Sequence, residues 1–445
     1  MTIDFASLAD DATRHLRALI RFDTTNPPGN ETPAAEYIAG VCRRAGIDAE
    51  VIESAPGRGN AIARMRSPRP TSGPLMLMGH TDVVGVEREK WERDPFGGEL
   101  VDGYVWGRGA LDMKGQVAAE LAAFVALKHA GIALDRDLIL VAFADEETGS
   151  PNHGAEWMWK NRRDLIDAEF AINEGGGIQA QVGAKRFYLC QAGEKGASRL
   201  RITARGPAGH ASMPLAGTAM AKLGEALVRL DAWRAPIILT DPVHLMIGSF
   251  ASAFGEQDAV MAERFLANPT WDGFEQLPLD EELRAELRPS VSNTAVPTMV
   301  NGGVRINVIP SEVSVDVDGR ILPGQEPDHF RVAVQEAIGD IAEVTLTSHE
   351  TGIAADPASP LFDSIVETMT ALDPGCGVAP FLLTGGTDAK ALPGIKVYGF
   401  CPLASIERQS TYLPLVHGHD ERLAVADLAY ASRFFIEIVT RFAGI

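Results

Sequence analysis

Residues 75–82 read Leu-Met-Leu-Met-Gly-His-Thr-Asp, an apolar run that ends in a glycine, a histidine and an acid. A short continuous apolar run is typical of a strand that is buried on both faces, as in a parallel sheet. Polar residues that follow such a strand lie at its carboxyl end, where open α/β sheets collect their functional groups. This stretch therefore predicts an interior strand that ends at a candidate site.

Similar apolar strands recur along the chain and alternate with helical segments. Residues 138–144 and 170–173 are predicted strands, and apolar residues at helical spacing predict helices over 4–22, 33–45 and 114–129. Alternation of this kind indicates a mostly parallel sheet that is covered by helices. We therefore predict an α/β fold.

The pattern changes near residue 194, which indicates that a second unit is inserted into the first. Alternating residues at 199–204 and 312–317 predict strands, and a helix is predicted over 218–232. The periodicity is weakest over 245–290, where we expect loops and short helices. We divide the chain into three segments, namely a first part of the α/β domain at 1–193, an α+β insertion at 194–324 and a second part of the α/β domain at 325–445.

The composition is that of a globular protein with an acidic surface. Hydrophobic residues make up 46% of the 445 residues and charged residues 22%, so the chain can bury a large core. The formal charge is −20, from 60 acidic and 40 basic residues, and it repels phosphate backbones and anionic lipid headgroups. Nucleic acid and membrane surfaces are therefore disfavoured as partners.

The cysteines and the N-terminus favour a reducing compartment. The four cysteines show no close pairing, which argues against a disulfide framework and against a cysteine zinc site: Cys42, Cys190, Cys376 and Cys401. Residues 1–11 lack the basic flank and the apolar stretch of a signal peptide. We therefore expect a cytoplasmic protein.

An imidazole or a carboxylate follows several elements of the predicted sheet domain. These candidate metal ligands are His80, Asp112, Glu147, Glu174 and His417. A mixture of imidazole and carboxylate suits zinc, cobalt or manganese. Five protein ligands are too many for one tetrahedral zinc ion, but they suit two ions about 3.5 to 4 Å apart that share a bridging carboxylate and a water.

Each of these residues also has a purely structural interpretation. His80 could be a loop histidine that is capped by Asp82, Asp112 could be a helix N-cap, and the acids could form a solvated loop. The glycine-rich loop around Asp112 could cradle a phosphate, but it lacks both the P-loop ending and the full dinucleotide spacing. The metal interpretation therefore depends on the combination of residues.

Two further acids adjoin the candidate ligands. Asp82 could hold the second ring nitrogen of His80, a common arrangement around metal sites. Glu146 and Glu147 are consecutive, so their side chains tend to diverge. One of these carboxylates can then bind metal while the other takes a proton from water.

Four motifs, in this order along the chain, resemble a known family. They are Gly79-His80-Thr81-Asp82, the loop Gly107-Arg-Gly-Ala-Leu-Asp-Met-Lys-Gly115, Asp145-Glu146-Glu147 and His417-Gly418. They resemble the di-zinc exopeptidase and deacylase family of aminoacylase, glutamate carboxypeptidase, carboxypeptidase S, acetylornithine deacetylase and succinyl-diaminopimelate desuccinylase. The resemblance extends from the Asn26-Pro27-Pro28-Gly29 loop to the last predicted helix, which is essentially the whole chain.

The resemblance implies a role for each candidate ligand. One divalent ion, zinc by preference and otherwise cobalt or manganese, would be held by His80, Asp112 and Glu174. The second would be held by Asp112, Glu147 and His417, so that Asp112 bridges. Asp82 would orient His80, and Glu146 would act as general base toward the attacking water.

The resemblance also implies that the insertion at 194–324 is a lid and dimerisation domain. His210 would reach the site of the partner subunit and stabilise the oxyanion, so a homodimer is expected. Arg320 and Asn307 would grip the carboxylate of the substrate, and Gly386 with Thr387 would complete its pocket.

These implications predict a two-metal hydrolase that cleaves an amide bond beside a free carboxylate, as a carboxypeptidase or dipeptidase does. The alternative is a deacylase of N-acyl amino acids, and a remote one is a non-catalytic protein that binds a peptide or metabolite. Two departures from the family pattern stand out. Gln116 replaces a glycine that many relatives have, and His419 places a second imidazole near His417.

Overall fold

A computed structural model describes residues 3–148, 153–405 and 414–444. The chain forms two compact units. The first comprises Met1–Ala192, Ala355–Phe381 and Thr387–Ile445, and the second comprises Gly193–Ala354 and Leu382–Gly386.

The first unit is built on a sheet whose central strands are parallel. Its strands are β1 (Asp48–Glu53), β2 (Gly59–Met65), β3 (Leu75–His80), β6 (Leu138–Phe143), β7 (Phe170–Asn173), β8 (Gln179–Val182), β9 (Lys185–Glu194), β17 (Gly377–Leu383) and β18 (Lys396–Gly399). They lie in the order β1-β2-β6-β3-β7-β18-β9, with β8 and β17 also paired to β9. The strands β6, β3, β7 and β18 run parallel, whereas β1, β2, β8 and β9 pair antiparallel with their neighbours. This confirms the predicted α/β fold with its mostly parallel centre.

Helices cover this sheet and supply much of its core. They are α1 (Phe5–Ile20), α2 (Thr32–Arg44), α3 (Lys114–Ala130), α4 (Ala155–Asn161), α5 (Arg163–Ile166), α12 (Pro360–Leu372) and α13 (Val425–Ala443). The helix α1 packs on α3 and α13, and α2 packs on β2. The apolar run at residue 75 forms β3 in the middle of the sheet, as predicted, and all six of its residues are buried between β6 and β7.

Local signals in the sequence set the ends of these helices. The Asp4 side chain accepts a hydrogen bond from the Ala6 amide at the start of α1, which satisfies one free backbone donor. Gly131 ends α3 with φ 68°, a left-handed conformation that glycine adopts without steric cost. The unit also contains a small antiparallel sheet of β4 (Glu99–Val101), β5 (Tyr104–Trp106) and β19 (Arg422–Ala424), with 3₁₀ turns at Arg88–Lys90 and Asp388–Ala391.

The second unit is built on an antiparallel sheet. The strands of this unit are β10 (Gly196–Arg205), β11 (Gly209–His210), β12 (Thr294–Gly302), β13 (Val308–Ile309), β14 (Glu312–Ile321), β15 (Glu343–Glu350) and β16 (Ile353–Ala354). The short strands β11 and β13 pair with each other, and β16 pairs with the end of β9. Its helices are α6 (Ala219–Ala232), α7 (Asp241–Ala251), α8 (Glu256–Ala267), α9 (Trp271–Glu275), α10 (Glu281–Leu287) and α11 (Pro327–Ile338), with a 3₁₀ turn at Arg288–Ser290. The main sheet has the order β12-β14-β10-β15. The helices α6 and α11 pack on it and bury Leu223, Phe330 and Val334 against Leu200 and Val315.

The second unit extends to Ala354, and the expected boundary at residue 324 is 30 residues too early. The reason is that β15 completes the sheet by pairing with β10, while α11 buries Phe330 and Val334 in the core of this unit. The segment 245–290, for which we expected loops and short helices, contains most of α7 and all of α8, α9 and α10.

Among the described residues, no helix combines the length and the apolar character that crossing a bilayer requires.

Candidate metal centre

The parallel strands bring the predicted ligands to one edge of the first sheet. His80 is the last residue of β3, Glu146 and Glu147 follow β6, and Glu174 directly follows β7. Because β6, β3 and β7 are neighbours and run parallel, their carboxyl ends meet at the same edge. Asp112 lies in the loop before α3.

Asp112 lies between two imidazoles and presents one oxygen to each. Its Oδ1 is 3.1 Å from Nε2 of His80, and its Oδ2 is 3.2 Å from Nε2 of His417. The His417 nitrogen also lies 3.0 Å from Oε2 of Glu147, and the His80 nitrogen lies 3.7 Å from Oε1 of Glu174. The structure thus brings all five predicted ligands together.

The electrostatics of this cluster favour bound cations. Burial raises the pKa of Glu174 to about 7, and burial together with the charge of Glu174 raises the pKa of Glu146 well above its usual range. Contacts with Asp112 and Glu147 raise the pKa of the His417 ring to about 10. These shifts share one origin, the burial of several carboxylates close together, and divalent cations would neutralise that charge.

The donor set fits a metal centre. Oε1 of Glu147 is buried and has no hydrogen-bonding partner within the part of the chain that the structure describes, although Oε2 contacts His417. Two groups of residues offer ligand atoms that all lie within 4.8 Å of one another, His80 with Glu146 and Glu174, and His80 with Asp112 and Glu147. Imidazole nitrogens and carboxylate oxygens at such spacing suit transition-metal ions.

Asp82 supports the cluster in two ways. Nδ1 of His80 lies 3.0 Å from the backbone oxygen of Asp82 and 3.3 Å from its carboxylate, so the shorter contact is with the backbone. The same carboxylate accepts hydrogen bonds of 3.1 Å from the amides of Glu146 and Glu147. Asp82 therefore links the end of β3 to the turn that carries both glutamates.

Glu421 supports the site in a way that the sequence pattern did not reveal. It is fully buried and accepts hydrogen bonds from the backbone amides of Gly109, Leu111 and Asp112. Nη1 of Arg108 lies 2.7 Å from its Oε2. Glu421 thereby holds the glycine-rich loop in the conformation that presents Asp112. The only indication of this role in the sequence was that Glu421 is an acid four residues after His417, the last predicted ligand.

Three other residues singled out in the sequence, Gly386, Thr387 and His419, are not among these ligand groups. Thr387 accepts a hydrogen bond of 3.0 Å at Oγ1 from Nδ2 of Asn173, the residue before Glu174. Gly386 ends the short segment Leu382–Gly386 that belongs to the second unit. His419 belongs to neither group of candidate ligands found among the described residues.

Within the second unit, His210 and Asn307 are close neighbours. His210 is exposed on β11 and pairs with Val308, and the next amide, that of Ala211, donates to the backbone oxygen of Asn307 at 3.0 Å. Arg320 lies on β14, where its Nε is 3.0 Å from Oδ1 of Asp318.

Imidazoles and carboxylates that converge at the strand ends of an α/β sheet are typical of metal-dependent hydrolases. The model of "Peptidase family M20/M25/M40" matches residues 76–441. Aminoacylase-1 of Sus scrofa is 27% identical over 443 residues, covering 96% of this chain and 94% of that protein. A probable carboxypeptidase S-like protein of Dictyostelium discoideum is 26% identical, covering 82% of this chain and 71% of that protein.

The fold is likewise similar to that of a solved protein. An M20 family metallo-carboxypeptidase of Sulfolobus solfataricus superimposes with a TM-score of 0.69 at 18% sequence identity, covering 97% of this chain and 99% of the other. The chain belongs to peptidase family M20/M25/M40, which confirms the resemblance seen in the sequence motifs. It is a metal-dependent amide hydrolase.

Replacing His417 with alanine should lower the bound metal by about one equivalent per chain, because the side chain is expected to be a direct ligand. Metal content after dialysis, measured by atomic absorption, checks this. His419→Ala is the matched control, since it removes an imidazole two residues away, and it should retain the wild-type content. Equal metal content in the two variants would contradict the assignment of His417.

Proposed function

We propose that this protein hydrolyses an amide bond beside a free carboxylate, as an exopeptidase of the carboxypeptidase or dipeptidase type. The observation that carries the proposal is Asp112 set between the imidazoles of His80 and His417, with the Glu146–Glu147 pair beside them. The alternative is a deacylase acting on N-acyl amino acids. The names of the two relatives, an aminoacylase and a carboxypeptidase S-like protein, span these alternatives.

We assign one divalent ion to His80, Asp112 and Glu174, and a second to Asp112, Glu147 and His417. The mixed nitrogen and oxygen donors favour zinc, with cobalt or manganese as the alternatives. When bound, such ions polarise the scissile carbonyl and lower the pKa of an attacking water. Asp112 is assigned as the bridging residue because each of its oxygens lies near a different imidazole.

Glu146 is assigned as the general base. Glu147 contacts His417 through Oε2, which supports its assignment as a ligand. A carboxylate oxygen of Glu146 lies within 4.8 Å of ligand atoms of His80 and Glu174, so it is within reach of a water beside them. Burial raises the pKa of Glu146, so its carboxyl can hold a proton taken from that water and then deliver it to the leaving amine.

Glu146→Gln should lower kcat by about 10² to 10⁴, the usual contribution of a general base, while metal content stays at the wild-type level. The amide has the shape of the carboxyl but cannot take the proton. Steady-state kinetics and metal analysis of the same preparation measure both effects. Near-normal turnover would show that another group acts as the base.

The second unit supplies most of the groups that we assign to substrate recognition. Arg320 presents a planar guanidinium that can bind a carboxylate through two parallel hydrogen bonds. The guanidiniums of Arg199 and Arg320 share a single carboxylate, that of Asp318. This sharing supports a carboxylate subsite at Arg320. We assign three further residues to substrate recognition, namely Asn307, Gly386 and Thr387.

A dipeptide with a free C-terminus should be hydrolysed much faster than the same dipeptide with an amidated C-terminus, and faster than N-acetyl amino acids. Arg320→Ala should raise KM for the dipeptide with a free C-terminus by about 10-fold or more, a loss typical of a charged contact. The variant should therefore distinguish less between the free and the amidated dipeptide. Arg201→Ala is the control, since Arg201 forms a similar pair with Asp316 in the same sheet. Faster turnover of N-acyl substrates would select the deacylase.

We also propose that the second unit forms a homodimer through β12. This strand lies at the end of its sheet, and its apolar side chains Val296, Met299 and Val300 are 55%, 61% and 65% exposed. An unpaired apolar edge strand favours pairing with another chain. In such a dimer we assign the exposed His210 to oxyanion stabilisation in the partner's site.

Val300→Glu should convert the dimer to a monomer, because the new charges of the two subunits would lie close together at the paired edge. Size-exclusion chromatography with light scattering measures the mass, and activity should fall with it. Val332→Glu, at a 40% exposed position on α11, is the control that should leave the mass unchanged. A wild-type protein that is fully active as a monomer would refute the shared site.

We propose a reducing, cytoplasmic location. The support is that all four cysteines are free thiols and that three of them are buried.

A further inference from the structure

A buried polar network lies behind the candidate metal centre. It consists of Asn26, Glu31, Arg58 and Asp145, whose exposed fractions are 5%, 0%, 8% and 3%. None of these residues is assigned as a ligand or as the base. Burying charged groups costs folding free energy unless the groups are paired. A buried network of this kind therefore points to a role in addition to packing.

Asn26 joins two carboxylates through one amide group. Its Nδ2 donates one hydrogen bond to Oδ2 of Asp82 and a second to Oδ1 of Asp145, both at 2.8 Å. A carboxamide nitrogen carries two hydrogens, so both are used. Asp82 follows β3, and Asp145 begins the turn with Glu146 and Glu147. Asn26 therefore connects the two elements that carry His80 and the glutamate pair.

Arg58 fixes the other side of the same turn. Its Nη2 is 3.0 Å from Oδ1 of Asp145, and its Nε is 2.8 Å from Oε2 of Glu31. Its Nη1 donates to the Pro28 oxygen at 3.0 Å and to the Asn26 side-chain oxygen at 3.4 Å. One guanidinium thus holds Asn26 in place and also neutralises a carboxylate that Asn26 contacts.

The turn needs this support because of its backbone. Asp145 has φ 65°, a left-handed conformation that is uncommon for residues other than glycine. The next two amides, those of Glu146 and Glu147, both donate to Asp82. The backbone conformation at Asp145 therefore determines the directions in which the side chains of Glu146 and Glu147 project.

We propose that Asn26 and Arg58 are positioning residues for the hydrolysis, which lock the Asp145 turn against Asp82 and so set the placement of Glu146 and Glu147. They do not touch the reacting atoms. The proposal rests on the proposed roles of these two glutamates. An amide suits position 26 because it donates to two carboxylates at once, whereas an acid there would face them with like charge.

Asn26→Asp tests this directly, since it keeps the shape and replaces the two donors with an acceptor. We expect kcat to fall by about 10- to 100-fold, with KM changed little, and the affinity for Co²⁺ to fall by a similar factor, as for other residues that orient ligands. Co²⁺ titration of the metal-free full-length protein, followed by calorimetry, measures the affinity without reference to turnover.

Gln335→Glu is the matched control for the loss of a partly buried amide that donates two hydrogen bonds. Nε2 of Gln335 donates to the backbone oxygens of Gly339 and Ala342 within the second unit. This variant should lower the melting temperature and leave kcat and Co²⁺ affinity at wild-type values. If Asn26→Asp behaves in the same way, the network is only structural and the proposal is wrong.

Arg58→Lys covers the case in which Asn26→Asp does not fold. Lysine keeps the charge but lacks the planar fork that spans Glu31 and Asp145. We expect Co²⁺ affinity and kcat to fall by about 10-fold, and wild-type values for both would overturn the proposal. The role of Glu146 is tested separately, because a fully active Glu146→Gln variant would refute the assigned base while the Co²⁺ affinities still report on the network.

Discussion

The rest of the structure depends on one electrostatic constraint, the concentration of several carboxylates at a single edge of a parallel sheet. Asp112, Glu147 and Glu174 converge there on the imidazoles of His80 and His417. Two imidazoles cannot neutralise all of these acids together with Glu146, and buried like charges repel strongly. Cations among the carboxylates would relieve this repulsion, so a bound metal would serve the fold as well as the reaction.

A second layer of buried polar groups supports the elements that carry Asp112, Glu146 and Glu147. Glu421 holds the loop of Asp112 through three backbone amides, Asp82 receives the amides of both glutamates, and Asn26 with Arg58 braces the turn before them. Each of these groups is itself buried and paired, so the cost of its desolvation is offset locally. This layer restricts the orientation of the candidate ligand side chains, which their contacts with one another would not fix.

Prediction from the sequence succeeded for the parts of the fold that depend on local pattern. The apolar strands at 75, 138 and 170 and the acids that follow them were visible because burial on both faces leaves an uninterrupted apolar run. The second unit was cut short because β15, Glu-Val-Thr-Leu-Thr-Ser-His-Glu, has exposed polar residues that resemble a surface segment. Asn26, Arg58 and Glu421 were missed because their partners are distant in sequence, and no spacing rule connects Asn26 to Asp145.

His417 and Glu421 pair with a loop that is far from them along the chain. Their contacts with Arg108 and Asp112 span sequence separations of 305 to 313 residues. During translation, the glycine-rich loop therefore has neither its carboxylate anchor nor its second imidazole until residue 421 has left the ribosome. A shorter nascent chain cannot assemble the complete centre. The order of synthesis thus delays assembly of the complete centre until almost the whole chain has been made.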